Sequence, residues 1–230
     1  MPVLLKQPKF DTMGDVLRKL GVPAHRVFLD PRPGTATLKD VIRHVEGDHK
    51  RLVELVDKTL VEKAMGNQAS FLASELLFIL KLFNYQCGDV AMILGSDGMF
   101  RLMPKLVRLP DVSLTNWDRI PGRIVPKEAV TELVPDFAVE AISKGNTTKE
   151  MTRKLNEYFA AGIRVVWFIY PVKRIVRVFS SPKVYLDFGV ADTLDGGDFL
   201  PGFTLTVSKL FEKLGPAEEP KKKKKKKKGK

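Results

Sequence analysis

FAVEAISKGNTTKEMTRKLNEYFAAGIRVVWFIY, residues 137–170, decides the fold. Its first six residues, 137–142, have the composition and alternation of a strand. Residues 148–161 follow with Met151, Leu155 and Phe159 on one helical face, entered through Thr147 and Glu150 at capping-box spacing and left at Gly162, where a left-handed stop is expected. VVWFIY, residues 165–170, is a continuous apolar run, β-branched at its start, as suits a strand covered on both faces. Strand, helix and strand in that order predict a right-handed crossover between parallel strands.

Upstream, residues 68–83 carry Phe71, Leu72, Leu76, Ile79, Leu80 and Phe83 at helical spacing, which predicts a largely buried helix. RLVELVDKTLVEK, residues 51–63, alternates and reads as a hairpin, with a helix as the alternative. Short runs of strand character lie at 90–94, 99–102 and 106–114, and residues 175–179 complete a hairpin after 165–170. The expected architecture is α/β, a mixed sheet flanked by helices. One amphipathic segment, 15–20, and a proline-rich stretch, 22–37, predict an N-terminal arm over residues 1–45, ahead of a core domain at 46–214.

The chain has 230 residues, 44% of them hydrophobic, enough for one well-covered core. No run is long and apolar enough to span a membrane, and MPVLLKQPKF lacks the layout of a secretory signal, so a soluble cytoplasmic protein is expected. Cys87 is the single cysteine, which excludes an intramolecular disulfide and any zinc site built from several thiolates. The formal charge of +12 sits mostly in residues 221–230, whose nine lysines, once set aside, leave 30 basic against 27 acidic residues. Like charges in a row repel and bury nothing, so residues 215–230 are expected to form a disordered tail. Its lysines, Lys221, Lys222, Lys223, Lys224, Lys225, Lys226, Lys227 and Lys228, would hold polyanions without reading their sequence. A tail that only solubilises is the plainer alternative.

The three histidines, His25, His44 and His49, all precede the first expected core element at residue 51, and no G-x-S-x-G, P-loop or G-x-G-x-x-G pattern is present. Carboxylates and lysines remain. Asp111 and Glu140 interrupt segments that should be buried strands, and a buried carboxylate needs a cation, hydrogen bonds or a raised pKa. A salt bridge to Arg108 or Lys105 is the ordinary solution for one such acid. Asp136 shares a face with Glu140 but stands about 13 Å away along an extended strand, too far to share an ion. Asp111 on a neighbouring strand can pair laterally with Glu140, and two carboxylates so placed can clasp a divalent metal, magnesium or manganese rather than zinc. Lys154, with Tyr158 one turn on, could orient a water and offset developing charge, although spacing alone describes a solvated helix lysine.

VRLPDVSLTNWDRIP, PDFAVEAIS, TRKLNEYFAAGIRVVWFIYP and DTLDGGDFLPGFTLTVSKLF, in that order, resemble the Uma-two family of restriction-endonuclease-like proteins, a branch of the PD-(D/E)XK nuclease superfamily. ELVDKTLVEKAMG looks like the family's opening segment, so the likeness covers about residues 50–212. The resemblance implies a restriction-endonuclease-like core and a Mg2+- or Mn2+-dependent endonuclease acting on DNA. It places the proline–aspartate motif at Pro110 and Asp111 and the second acid at Glu140. The superfamily's lysine two residues on is here Ile142, and the matching residue is Lys154, moved to the following helix. Glu75 and Glu62 are further candidate ligands. DNA is the expected partner; a homodimer is one option for the assembly, which the sequence leaves open. The rival reading is an inactive nuclease-fold module that binds nucleic acid or a protein, and it gains if Lys154 faces solvent. A glycosidase is a distant third, since aromatic residues for a sugar cleft are scarce.

Overall fold

The computed structural model describes residues 10–47 and 50–215. Two short helices open the chain, α1 (Met13–Leu20) and α2 (Leu38–Glu46). The Thr12 hydroxyl caps α1 by accepting from the Asp15 N–H while Asp15 accepts from the Thr12 N–H, a reciprocal closure of the free helix end. Between them the proline-rich stretch is irregular, with one helical turn at Ala24–Arg26. The hairpin is formed by β1 (Val53–Val56) and β2 (Thr59–Glu62), with Leu55 opposite Leu60. Asp57 and Lys58 turn it with two consecutive positive φ angles, 49° and 57°, which match the twist of the flanking strands.

After α3 (Asn67–Gln86) come β3 (Ala91–Leu94), β4 (Phe100–Met103), β5 (Leu106–Arg108), β6 (Val112–Asn116) and β7 (Phe137–Ala141). Then follow α4 (Thr148–Ala161), β8 (Val165–Tyr170), β9 (Ile175–Phe179), β10 (Tyr185–Phe188), β11 (Thr193–Asp195), β12 (Thr204–Thr206) and α5 (Val207–Phe211). The main sheet has six strands in the order β10-β9-β8-β7-β6-β3, with β7 and β8 parallel and the other four pairings antiparallel. Beside it stands a four-stranded sheet in the order β2-β1-β5-β4, and β11 pairs with β12. The strand–helix–strand reading of 137–170 therefore holds, with Gly162 at φ 102° closing α4 as a β-carbon would not comfortably allow.

The run 106–114 is not one strand. Pro110 has no N–H to give a ladder, and the chain breaks around it, so that β5 joins the small sheet beside β1 while β6 joins the main sheet beside β7. This break puts Asp111 at the seam of the two sheets. The strand period then sorts the sides of β7: Phe137, Val139 and Ala141 pack with α3, α5 and the C-terminal hairpin, whereas Ala138 packs with α1, α4 and the small sheet. Val16, Leu20, Val22, Val27 and Val41 of the N-terminal segment are buried as well. Arg26 anchors it, forming a buried ion pair with Glu150 at 2.7 Å and donating to the Glu62 and Gly145 carbonyls. No described helix is long and apolar enough to cross a membrane.

Candidate active site

Asp111 and Glu140 meet where β6 and β7 begin their pairing. Val112 lies opposite Val139, and the Asp111 N–H donates to the Val139 carbonyl at 2.8 Å. The Asp111 side chain then turns across β7, where Oδ2 accepts from the Ala141 N–H at 2.7 Å. Glu140 points to the α4 side of the sheet, the side that Ala138 also faces.

Lys154 is buried, 2% exposed, and its ammonium lies 2.9 Å and 3.0 Å from the two Glu140 oxygens. Tyr158, one turn along the same face of α4, donates its hydroxyl to Glu140 Oε1. The sheet-flanking helix thus delivers both groups to one carboxylate. Lys154 has a second acidic partner, Glu54 on β1, at 3.0 Å. Glu54 in turn pairs with Arg108 at 2.6 Å and accepts from the Leu109 N–H, while Arg108 also reaches Glu157 of α4. Glu54 and Arg108 arrive from neighbouring strands of the small sheet, so the site is built where the two sheets and α4 converge.

These contacts set the protonation. Burial drives the Glu140 carboxyl up; Lys154 and Lys63 oppose that rise, the Asp111 and Glu54 charges add to it, and the balance is about 7. Burial would raise Glu54 too, but Lys154, Arg108 and Lys63 outweigh it and hold the carboxyl at about 2. Burial works against the Lys154 charge, yet Glu140 and Glu54 leave its proton held more firmly than on a free lysine. Burial, reinforced by Glu140 and Glu54, pushes the Tyr158 hydroxyl well above its ordinary value, so it remains a donor.

On its other side the site opens. Asp111 Oδ1 pairs with the Lys63 ammonium at 2.8 Å, and Lys63 also donates to the Ser96 carbonyl at 2.8 Å. Lys63, Asp111 and Ala141 line a cleft of about 270 Å³ whose far wall is the first turns of α3, including Ser70 and Ser74. This is the cleft through which a substrate atom could approach Asp111.

The structure thus brings Asp111, Glu140, Lys154 and Tyr158 together. Glu75 and Glu62 stay apart from them: Glu75 lies on the exposed side of α3, and the Glu62 side chain turns towards Arg51, 3.7 Å away. Asp136 is satisfied by Arg119, Arg164 and the Asn116 N–H. Lys221 to Lys228 lie outside the described residues. Glu54 and Lys63 were not anticipated. Glu54 did leave a sign, a lone acid in the apolar run 52–56. Lys63 left none.

The donor set suits a hard divalent cation. Carboxylate oxygens are its preferred ligands, and the Lys63 ammonium on Asp111 marks a position where positive charge is already accommodated. Asp111 and Glu140 would hold it. Among the described residues no group of three or more His, Cys, Asp or Glu side chains is arranged to bind a metal, so water or substrate oxygens would complete the shell.

Residues 43–208 match the Uma2 family, described as "Putative restriction endonuclease". A solved structure described as a putative nuclease belonging to DUF820 from Anabaena variabilis ATCC 29413 is similar with a TM-score of 0.61. The likeness covers 71% of this chain and 91% of that one at 18% identity, which bears on the fold alone. No curated protein matches the chain. With the family match extending over well more than half its length, the chain belongs to the Uma2 family of restriction-endonuclease-like proteins.

Proposed function

We propose that the protein is a metal-dependent endonuclease that hydrolyses phosphodiester bonds in DNA, with Asp111 and Glu140 holding Mg2+ or Mn2+ and Lys154 assisting the attacking water. The observation that carries this reading is the placement of a buried lysine against Glu140, on strands where Asp111 is the lateral neighbour. A bound divalent ion supplies Lewis-acid polarisation of the phosphodiester and lowers the pKa of a coordinated water. The protein supplies the rest. Lys154, fixed between Glu140 and Glu54, offers a permanent positive charge to the phosphorane-like transition state, in a site dry enough to make that charge effective. Tyr158 and Lys154 together fix the Glu140 carboxylate in one orientation. Attack of water makes one P–O bond and breaks another, which leaves a phosphate monoester and an alcohol.

Asp111→Ala should lower magnesium-dependent cleavage of plasmid DNA by about a thousandfold, with the circular-dichroism spectrum kept at a temperature well below the melting transition. Unchanged cleavage would remove Asp111 from the site. A second reading, a nuclease-shaped module that binds DNA without cutting it, is favoured by one observation: each of the two acids is already paired with a lysine. Magnesium-independent retention of intact DNA by the native protein, with no cleavage, would establish that reading instead.

A further inference from the structure

Lys63 takes no part in the chemistry above, yet it is 5% exposed and carries a charge. The chain leaves β2 at Glu62, and the Lys63 N–H donates to the Leu52 carbonyl at 2.9 Å, extending the hairpin by one step. Its side chain is thereby turned inward. A buried ammonium is tolerated only when paired, and Lys63 meets this condition with Asp111 Oδ1 and the Ser96 carbonyl.

The charges of the cluster balance without any added ion. Glu54, Asp111 and Glu140 face Lys63, Lys154 and Arg108, and Glu157 is shared between Arg108 and Arg153. A divalent cation joining this set would find little net negative charge to neutralise. One of the three resident cations must yield. Arg108 and Lys154 are each clamped between two carboxylates. Among the described residues Lys63 forms an ion pair with Asp111 alone; it lines the cleft, and its long flexible stem lets the ammonium move without the backbone.

We infer that Lys63 is a displaceable counter-ion: it occupies the cation position on Asp111 while the cleft is empty and transfers to a phosphate oxygen when nucleic acid enters, which couples divalent-ion binding to substrate binding. The inference rests on the nuclease reading of Asp111. It makes Lys63 a positioning residue for the ion and the substrate phosphate.

The test is Mn2+ binding to the full chain, followed by the electron paramagnetic resonance signal of free Mn2+, with and without a phosphorothioate DNA duplex. Without DNA, Lys63→Met should bind Mn2+ at least about tenfold more tightly than the native protein, since the competing cation is gone. Adding the duplex should tighten native binding about tenfold and that of the variant by less than about twofold. Equal affinities of variant and native protein without DNA, or native affinity unmoved by the duplex, would overturn the inference. Should Lys63→Met fail to fold, Lys63→Gln replaces it, and the native protein's response to DNA still decides against the inference if it is absent. Asp111→Asn separates the two levels: if it binds Mn2+ as the native protein does, the nuclease site itself is misplaced, whereas loss of binding there with Lys63→Met unchanged refutes the counter-ion role alone.

Discussion

Two lysines face two acids within one cluster, and they are held in opposite ways. Lys154 is wedged between Glu140 and Glu54, with the Tyr158 hydroxyl on Glu140 and Arg108 on Glu54. Lys63 meets Asp111 at the edge of a cleft, and its other partner is a main-chain carbonyl. Every member of the first group is sealed, whereas the Asp111 side chain is 14% exposed. Lys154 cannot leave its two carboxylates without baring both, whereas Lys63 can leave Asp111 for the cleft. A cluster so divided keeps its electrostatic frame fixed while leaving one carboxylate available for exchange, which is what preorganised catalysis on a charged substrate needs.

The strongest break of this contrast is Lys154→Met. It leaves Glu54 and Glu140 buried and lacking their shared cation, and removing one partner from a buried ion pair typically costs about 3 to 5 kcal/mol. Urea unfolding at pH 7 should show a loss of that order. The loss should be smaller at pH 5, where Glu140, which titrates near 7 even beside Lys154, holds a proton in both proteins and the native ion pair contributes less. A loss below about 1 kcal/mol would mean that Lys154 is not the keystone of the sealed half.

The two acids of the sealed half should also impose opposite pH dependences. Glu54 titrates near 2 in the folded protein against an ordinary value of 4.5, so its contribution is fully present above about pH 4.5 and is lost as pH falls towards 2. That contribution is about 3 kcal/mol. Glu140, raised to about 7, runs the other way: the fold binds its proton more tightly than the unfolded chain does, so stability declines as pH rises from about 4.5 to 7. Unfolding free energies from pH 2.5 to 8 should lose their acid limb in Glu54→Gln and their limb between 4.5 and 7 in Glu140→Gln. If both variants keep the native profile, the titrating groups lie elsewhere.

The same division governs what the sequence could reveal. Asp111, Glu140, Lys154 and Tyr158 were legible because the strand–helix–strand step at 137–170 has strong periodicity and clear caps, and because the family likeness falls on those residues. Glu54 was half legible. A charged residue flanked by Val53 and Leu55 in a hairpin is anomalous, but its partner Arg108 is 54 residues away, and only the break at Pro110 brings β5 beside β1. Reading 106–114 as one strand hid that break. Lys63 was not legible at all, because its burial depends on the chain leaving β2 towards the turn at Ser96, a tertiary contact with no local pattern. The helix α2 was missed although its start is marked locally: Thr37 and Asp40 close a reciprocal cap, and Val41 packs against the small sheet.

The open half should respond more mildly to the matching substitution. Lys63→Met removes one ion pair whose carboxylate borders the cleft, so water can take over solvation of Asp111 Oδ1, and the methionine stem keeps the packing of the lysine stem. The Ser96 carbonyl loses a donor but sits at a turn within reach of the same water. An expected cost of about 1 kcal/mol follows, a third or less of that for Lys154→Met, measured by the same urea titration. The sharper reading is the ratio of the two costs. Nearly equal losses would place Lys63 in the frame of the cluster and make its exchange with an incoming cation too costly, while a clear gap between them keeps one lysine as scaffold and the other as the group that gives way.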